Sequence, residues 1–250
     1  MQAVGVAKTY ATGTRALARV DITVHDGDFL TLLGPSGCGK TTLLNLIAGL
    51  IEPDAGTLRW WGRELAATGA PGQRLAMVFQ TPALMPWARI ASNVRLPLDL
   101  AGVDPATARQ SVASVMRLVG LSEVGTHFPR ELSGGMQMRA SIARALVNSP
   151  DLLLMDEPFG ALDEFTRQRL DDELVALWAA HKLSIVFVTH SIAEAVFLST
   201  RVAVMGARPG RLIAEIAIDE PHPRGEAFRG EPRFAAYCQR LSKLVAEAHA

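Results

Sequence analysis

The sequence from position 34 to position 42 reads Gly34-Pro35-Ser36-Gly37-Cys38-Gly39-Lys40-Thr41-Thr42. This is the spacing of a phosphate-binding loop: a glycine, four residues, then Gly-Lys-Thr. The apolar run at 29–33 predicts a buried strand before the loop, and residues 42–48 predict a helix after it, ending near Gly49. Glycines let the backbone surround phosphates with N–H groups at the positive end of that helix. The stretch therefore predicts a nucleoside triphosphate site.

Two side chains of this loop have predicted tasks at the site. The Lys40 ammonium is expected to reach the β- and γ-phosphates, and the Thr41 hydroxyl is expected to bind a Mg²⁺ ion that bridges them. The alternative is a glycine-rich turn with an incidental lysine. The strand and helix signals on either side favour the nucleotide site.

Composition restricts the possible classes of protein. The chain has 250 residues, enough for one large domain or two small ones, and its formal net charge is zero. That balance indicates no basic footprint for nucleic acid, although it is compatible with a local patch. The first residues lack the apolar core of a secretory signal, and no run approaches the ~20 apolar residues of a membrane span, so we expect a cytosolic chain. The two cysteines, Cys38 and Cys238, indicate neither a disulfide framework nor a metal cluster.

The N-terminal region predicts antiparallel strands. Residues 2–33 alternate apolar and polar side chains around a turn at 26–28, and we include the run at 29–33 among these strands. A further strand is predicted at 57–61 and a loop at 69–72. Tyr10 either stacks on an adenine ring or packs inside the fold, and periodicity alone favours packing.

Three later apolar runs end in polar side chains. The run at 76–79 is followed by Gln80, the run at 152–155 by Asp156 and Glu157, and the run at 184–188 by Thr189 and His190. Continuous apolar runs are typical of parallel strands buried on both faces, and the carboxyl ends of such strands face the ligand crevice. We therefore expect these polar side chains at one edge of a sheet.

Adjacent carboxylates at the end of a buried strand indicate a cation or a chemical task. Asp156 is predicted to hold the Mg²⁺, and Glu157 to orient or deprotonate an attacking water. Gln80 can reach the metal or the water, and His190 can bond the γ-phosphate. The alternatives are two exposed acids at a strand end and a surface glutamine.

Residues 89–150 predict a helical insertion. One helix begins at Asp104-Pro105 and ends at Gly120. Its apolar stripe consists of Val112, Val115, Met116 and Val119. A second helix spans about 136–147, and Ser133-Gly134-Gly135 precede it. A serine and two glycines at a helix start make a second candidate anion site, with a plain helix N-cap as the alternative.

The rest of the sequence predicts a helix at about 165–180, strands at 202–205 and 212–218, a linker at 221–230 and a final amphipathic helix. The apolar face of the final helix comprises Phe234, Tyr237, Leu241, Leu244 and Val245. That face either packs on its own domain, which we favour, or recruits a partner.

In this order, the motifs resemble the ATP-binding subunits of ABC transporters over nearly the whole chain. The resemblance implies an α/β fold: a P-loop NTPase core with an antiparallel β subdomain and an inserted helical subdomain. It implies an ABC ATPase domain at 1–220, with the helical subdomain at about 89–150, and a linker and C-terminal helix at 221–250.

The resemblance also implies roles for the motif residues. Tyr10 is similar to the aromatic residue that stacks on adenine, residues 34–42 to the Walker A loop, and Gln80 to the Q-loop glutamine. Asp156 and Glu157 resemble the Walker B acid and the catalytic glutamate, and His190 resembles the switch histidine.

Two further motifs imply a dimer. Leu162-Asp163 resembles the D-loop, and Ser133-Gly134-Gly135 resembles the signature motif. In the family, the signature motif of one subunit completes the ATP site of the other in a head-to-tail homodimer, with ATP and Mg²⁺ as cofactors. Met136 stands where Gln is usual and Gly160 where Ser is common. Neither departure removes a phosphate ligand, so we expect activity.

A narrower resemblance concerns the segments 34–40, 84–87, 156–167 and 208–211, which are similar to importers for taurine, aliphatic sulfonates and nitrate. It implies a membrane permease, an extracytoplasmic solute-binding protein and a peripheral position on the cytoplasmic face of the inner (plasma) membrane, with no nucleic acid partner. Pro86-Trp87 would meet the permease, unless Trp87 packs against the helical insertion.

We therefore expect an ATPase subunit that energises import of a small sulfonate, with taurine favoured, or of nitrate. One rival is a soluble ABC ATPase that acts on nucleic acid or ribosomes, but such proteins usually carry tandem ATPase domains or long coiled-coil insertions, and neither is evident here. A second rival is a small-molecule phosphotransferase, which leaves the Ser133-Gly134-Gly135 and Asp156-Glu157 motifs without a role.

Overall fold

The structure is a computed structural model that describes residues 1–60, 63–64 and 74–248. The strands are β1 (Gln2–Thr9), β2 (Arg15–Thr23), β3 (Phe29–Leu33), β4 (Ala55–Trp60), β5 (Arg63–Glu64), β6 (Leu75–Val78), β7 (Leu152–Asp156), β8 (Ser184–Thr189), β9 (Arg201–Gly206) and β10 (Arg211–Ala217). The helices are α1 (Lys40–Ile47), α2 (Ile90–Leu100), α3 (Pro105–Leu118), α4 (Gly134–Leu146), α5 (Glu164–His181), α6 (Ile192–Leu198), α7 (Glu226–Arg229) and α8 (Pro232–Glu247). Short 3₁₀ turns lie at Ser122–Val124 and Pro129–Glu131.

Two sheets organise these elements. The first is antiparallel in the order β2-β1-β4-β5. The second has the order β10-β9-β3-β8-β7-β6, in which only β10 pairs antiparallel to its neighbour. The carboxyl ends of β3, β6, β7 and β8 therefore lie at one edge of this second sheet, as the sequence predicts.

The prediction that the run at 29–33 belongs with the antiparallel strands is wrong. Strand β3 lies in the centre of the second sheet and pairs in parallel with β8 and β9. The physical reason is burial on both faces: all five residues of β3 are buried, whereas the exposed and buried residues of β1 and β2 alternate.

Both helices predicted individually between 89 and 150 are present, as α3 and α4, and α2 precedes them. Asp104 caps α3, its carboxylate accepting hydrogen bonds from the N–H groups of Ala106 and Thr107, each at 3.0 Å. The stripe of α3 is buried. Helix α6 is absent from the sequence predictions, although Ser191 followed three residues later by Glu194 is a helix-start signal. Part of the strand predicted at 57–61 and the loop predicted at 69–72 lie outside the described residues.

The hydrophobic core has a cluster on each face of the second sheet. One cluster joins Phe29 and Leu33 of β3 to α2, α3 and α4 of the insertion and to α8. The other joins Leu30 and Leu32 of β3 to α1 and the antiparallel sheet. Alternate side chains of β3 thus pack into the clusters on opposite faces of the sheet.

The segment predicted as a linker at 221–230 is packed against the core. Arg224 is buried, and its Nη1 donates to the carbonyl oxygens of Val196, Phe197 and Ser199 at 2.6, 3.0 and 2.9 Å. It thereby satisfies carbonyls at the carboxyl end of α6. The apolar face of α8 packs against the same core, with Leu241 fully buried.

In the part of the chain that the structure describes, none of the helices combines the length and the apolar character that a membrane span requires.

Candidate active site

The loop at 34–42 wraps around its own lysine. The Lys40 ammonium donates to the carbonyl oxygens of Gly34 at 2.8 Å and Pro35 at 3.0 Å. Two glycines make this path possible. A Cβ on Gly34 would lie 2.4 Å from the Met205 carbonyl oxygen, and Gly39 adopts φ +92°, which disfavours other residues. The loop therefore needs glycine at these positions for steric and conformational reasons.

The loop is connected to the end of β7. The Thr41 hydroxyl donates to Asp156 Oδ1 at 3.2 Å. Burial raises the pKa of Asp156, and the adjacent Glu157 charge acts in the same direction, while the Thr41 hydrogen bond and Lys40 act against them. A cation at this position would relieve the desolvation of the Asp156 carboxylate.

Glu157 and His190 meet at the ends of neighbouring strands. Glu157 Oε2 lies 3.2 Å from His190 Nδ1. The Glu157 backbone has φ +44°, in the left-handed region, while its N–H donates to the Val188 carbonyl at 3.0 Å. A non-glycine residue held in this region is strained, and such strain is concentrated at functional sites.

A cavity of about 380 Å³ opens over the loop. Its lining comprises Tyr10, Thr14, Arg15, Ala16, Ser36, Gly37, Gly39, Lys40, Thr41, Thr42, Glu157, Arg208 and Gly210. The Tyr10 hydroxyl is 3.2 Å from Thr42 Oγ1, so the aromatic ring predicted to contact adenine stands beside the loop. Sequence reasoning missed Arg15 and Arg208 as candidate site residues: Arg15 carries no local signal, and Arg208 was noted only within the segment 208–211 that resembles importers.

Gln80 lies beside the segment that follows Glu157. A Cβ added to Gly160 would be 3.7 Å from Gln80 Nε2 and 3.4 Å from the Glu157 carbonyl oxygen. Asp163 caps α5 by accepting from the Thr166 N–H at 3.0 Å, and this hydrogen bond holds the pKa of Asp163 below its usual range. Gln80 thus lies close to the segment 157–160, and Asp163 follows a few residues later.

The Ser133-Gly134-Gly135 motif is not among the residues that line the cavity. Ser133 caps α4, accepting from the Met136 N–H at 3.4 Å. A Cβ on Gly135 would lie 2.9 Å from Thr166 Cγ2, so the motif packs against the start of α5. Within one chain the cavity brings together Tyr10, the loop and Glu157, and His190 contacts Glu157, but neither this motif nor Asp163 lines the cavity.

A phosphate-binding loop between β3 and α1, two carboxylates at the end of β7, an antiparallel sheet and a helical insertion together define an ATP-binding cassette ATPase. The chain belongs to the ABC transporter family, whose family model matches residues 17–160. It is an ATP-binding and ATP-hydrolysing member of that family.

Relatives of known name are similar over almost their full length. The taurine import ATP-binding protein TauB of Rhizobium johnstonii is 45% identical over 244 residues, which cover 96% of this chain and 92% of TauB. The aliphatic sulfonates import ATP-binding protein SsuB of Bacillus licheniformis is 43% identical over 230 residues, which cover 92% of this chain and 87% of SsuB.

A solved structure shares the fold. The dimeric structure of a post-hydrolysis state of the ATP-binding cassette MJ0796, bound to ADP and Pi, matches with a TM-score of 0.76 and 29% identity. The match covers 88% of this chain and 99% of that one. The predicted fold class is therefore confirmed.

Proposed function

We propose that this ATPase energises the import of a small sulfonate through a membrane ABC transporter. The support for import and for a sulfonate comes from the names of the TauB and SsuB relatives. Taurine is favoured over other sulfonates, and nitrate is kept as a further substrate to test. The support for hydrolysis at this site is the approach of His190 Nδ1 to Glu157 Oε2 at 3.2 Å, beside the loop cavity.

We assign the chemical roles from this geometry. Glu157 orients or deprotonates the attacking water, and His190 holds that carboxylate and bonds the γ-phosphate. Lys40 exchanges its loop carbonyls for the β- and γ-phosphates, while Tyr10 faces the adenine. The backbone N–H groups of residues 34–42 hold the phosphates.

The residues present fit a Mg²⁺ ion. Thr41 and Asp156 offer oxygen ligands 3.2 Å apart, and Gln80 lies near the same edge. The described residues contain no group of three or more His, Cys, Asp or Glu side chains that could hold a metal alone. That fits Mg²⁺, which is usually bound by one or two carboxylates together with substrate phosphates. Bound there, the ion would neutralise phosphate charge during hydrolysis.

The active form is proposed to be a homodimer. Ser133-Gly134-Gly135 is separate from the loop cavity of its own chain, which supports a role at the ATP site of a partner subunit. The start of α4, where Ser133 and Gly134 are exposed, offers backbone N–H groups that suit the γ-phosphate of that partner, and Asp163 lies in the segment beside the motif. The dimeric cassette structure of MJ0796 supports a dimer of such subunits.

A role in import implies further partner proteins. The chain would work with a membrane permease, contacted through the exposed Trp87, and with an extracytoplasmic solute-binding protein. It would be peripheral on the cytoplasmic face of the inner (plasma) membrane. We keep the proposed division into an ATPase domain at 1–220, with a helical subdomain at about 89–150, and a C-terminal segment at 221–250.

Uptake of labelled solutes tests this proposal. Cells that lack the chain would be complemented with the native sequence, with Glu157→Gln, or with Glu123→Gln, which changes an exposed glutamate on the insertion. Taurine, an alkanesulfonate and nitrate are supplied separately. We expect sulfonate uptake with the native chain and Glu123→Gln, and none with Glu157→Gln.

If only nitrate uptake depends on the chain, nitrate replaces the sulfonate as the proposed substrate. If no solute's uptake depends on the chain, the import proposal is contradicted. Recovery of the chain with ribosomes or nucleic acid would then favour the non-transport rival. An ATPase rate unchanged in Glu157→Gln would remove Glu157 from its role.

A further inference from the structure

Helices α5 and α6 begin directly after two segments of the site. Helix α5 follows Asp163, and α6 follows the turn that carries His190. Each helix has one charged side chain in its first turn that faces the other helix: Arg167 on α5 and Glu194 on α6. Arg167 Nε lies 3.7 Å from Glu194 Oε1.

Glu194 holds both neighbours of His190. Its Oε2 accepts a hydrogen bond from the Thr189 hydroxyl, and its N–H donates to Ser191 Oγ at 3.3 Å. The Ser191 N–H in turn donates to Thr189 Oγ1 at 2.9 Å. The Glu194 carboxylate, whose side chain is only 6% exposed, therefore holds Thr189 directly and Ser191 through the Thr189 hydroxyl, while the Glu194 backbone N–H adds a second bond to Ser191.

Arg167 connects that carboxylate to the segment before α5. Its Nη2 donates to the Leu162 carbonyl oxygen at 3.0 Å, next to Asp163. Arg167 Nε and Glu194 Oε1 are buried and make no hydrogen bond within the described residues, so the pair interacts by charge across 3.7 Å. Burial raises the pKa of Glu194, while the Thr189 hydrogen bond and the Arg167 charge act against it.

The same two helices are also held together further from the site. Arg229 of α7 lies 2.8 Å from an Asp172 carboxylate oxygen and 3.5 Å from an Asp171 oxygen on α5. Its guanidinium carbon lies 3.5 Å from the centre of the Phe197 ring on α6. We therefore expect the helices to stay packed when the Arg167 and Glu194 charges are changed.

We infer that Arg167 and Glu194 act as a pair of positioning residues that hold the His190 turn against Glu157 and join it to the Leu162-Asp163 segment. The inference rests on the proposed roles of His190 and Glu157 in hydrolysis. A displacement of about 1 Å at a reacting group can cost about 100-fold in rate. Glu194 and Arg167 can therefore control hydrolysis without touching the nucleotide.

The test compares ATP hydrolysis by the purified full chain and its Glu194→Gln variant. Gln keeps the size of the side chain and an acceptor for Thr189, but it removes the charge that faces Arg167. We expect kcat to fall at least about tenfold, with KM for ATP changed by less than about threefold. Arg167 keeps an ion pair with Glu164 at 3.2 Å, so no charge is left isolated.

Glu220→Gln is the matched control. Glu220 is also a nearly buried carboxylate, 7% exposed, and it is paired with Arg233 at 2.9 Å, away from the His190 turn. It should keep the native kcat. A similar kcat loss in Glu220→Gln, or a loss in Glu194→Gln that follows the unfolded fraction, would show a structural role only.

A double-mutant cycle tests whether the two residues act as one unit. Arg167→Gln, Glu194→Gln and the double variant should lose similar amounts of kcat, because removing either partner breaks the same connection. Additive losses of kcat would overturn the inference but keep the proposed function. The same holds if Glu194→Gln keeps a kcat within twofold of the native value while Glu157→Gln is inactive. If Glu157→Gln hydrolyses ATP at the native rate, both the inference and the proposed function are overturned.

Discussion

His190 Nδ1 lies 3.2 Å from Glu157 Oε2, although the two residues are separated by 33 positions in the sequence. The contact exists because β7 and β8 are neighbouring parallel strands, with Asp156 paired to Val188. Parallel pairing thus brings a carboxylate and an imidazole, each placed just after its strand, to the same edge of the sheet.

Removal of this imidazole should affect hydrolysis more than binding. His190→Ala is expected to lower kcat by about 100-fold or more, because Glu157 loses the group that orients it and the γ-phosphate loses a hydrogen bond. ATP affinity should change by less than about threefold, since the loop makes most phosphate contacts. Steady-state hydrolysis and fluorescent-nucleotide titration measure the two effects. His181→Ala, at the exposed end of α5, is the control and should match the native chain.

The glycine at the start of the loop is required for steric reasons. In Gly34→Ala the new Cβ would meet the Met205 carbonyl oxygen at 2.4 Å and Cys38 Sγ at 2.9 Å. We expect the free energy of unfolding to fall by about 1–3 kcal/mol and ATP affinity to fall at least about tenfold. Gly225→Ala has open space around its Cβ and should change neither quantity. Denaturant unfolding and nucleotide titration compare the two variants, and equal behaviour would contradict the steric argument.

The left-handed backbone of Glu157 predicts an unusual order of stabilities. Glu157→Gly should be more stable than Glu157→Ala by about 1 kcal/mol, because only glycine adopts φ +44° without strain. Both variants lack the carboxylate, so the comparison isolates the backbone. At Gln110, exposed in α3, the order should reverse, with Ala more stable than Gly by about 1 kcal/mol. Denaturant unfolding of the four variants measures both differences, and the same order at both positions would argue against strain.

Acid stability should depend on a histidine outside the site. Burial, followed by the Arg224 charge, lowers the pKa of His222 to about 4, and its ring packs edge-on against Trp178 with centroids 4.7 Å apart. The unfolded chain takes up this proton near pH 6.5, so the free energy of unfolding should fall as the pH drops from 6.5 to 4.

Replacement of His222 by a side chain that cannot be protonated should remove its part of the acid-induced fall in the free energy of unfolding. Between pH 6.5 and 4, the free energy of unfolding should fall less for His222→Phe than for the native chain. The upper limit of this difference is about 3 kcal/mol, and solvent screening of the partly exposed ring makes the expected difference smaller. Urea unfolding at several pH values gives the comparison. The exposed His127→Gln variant should follow the native curve. Parallel curves for His222→Phe and the native chain would refute the assignment.

The sequence predicted best those features that depend on local patterns. The loop at 34–42, the acids at the end of β7 and the cap of α3 are each encoded by neighbouring residues, and the structure has all three where they were expected. The pairing of β3 was mispredicted, because alternation before it suggested a continued antiparallel sheet. Which strands are neighbours is decided by burial on both faces, a property of the whole fold.

Local sequence patterns could not predict the polar contacts between residues that are distant in the sequence. Nothing near Arg229 indicates its pairing with Asp172, 57 residues earlier, and nothing near Arg224 indicates that it contacts the carbonyls at the end of α6. A segment rich in proline, glycine and charge is typical of a linker. Here its arginines enter the core because they satisfy polar groups that would otherwise be buried without partners.

Strand β3 limits how this molecule can move. Phe29 and Leu33 are fixed in one hydrophobic cluster, and Leu30 and Leu32 in the other. Sliding the strand by one residue, about 3.3 Å, would exchange these side chains between the clusters and disrupt both. We therefore expect the register of β3 to stay unchanged during nucleotide turnover. Residues 29–33 are accordingly the natural reference for superposing different nucleotide states of this ATPase.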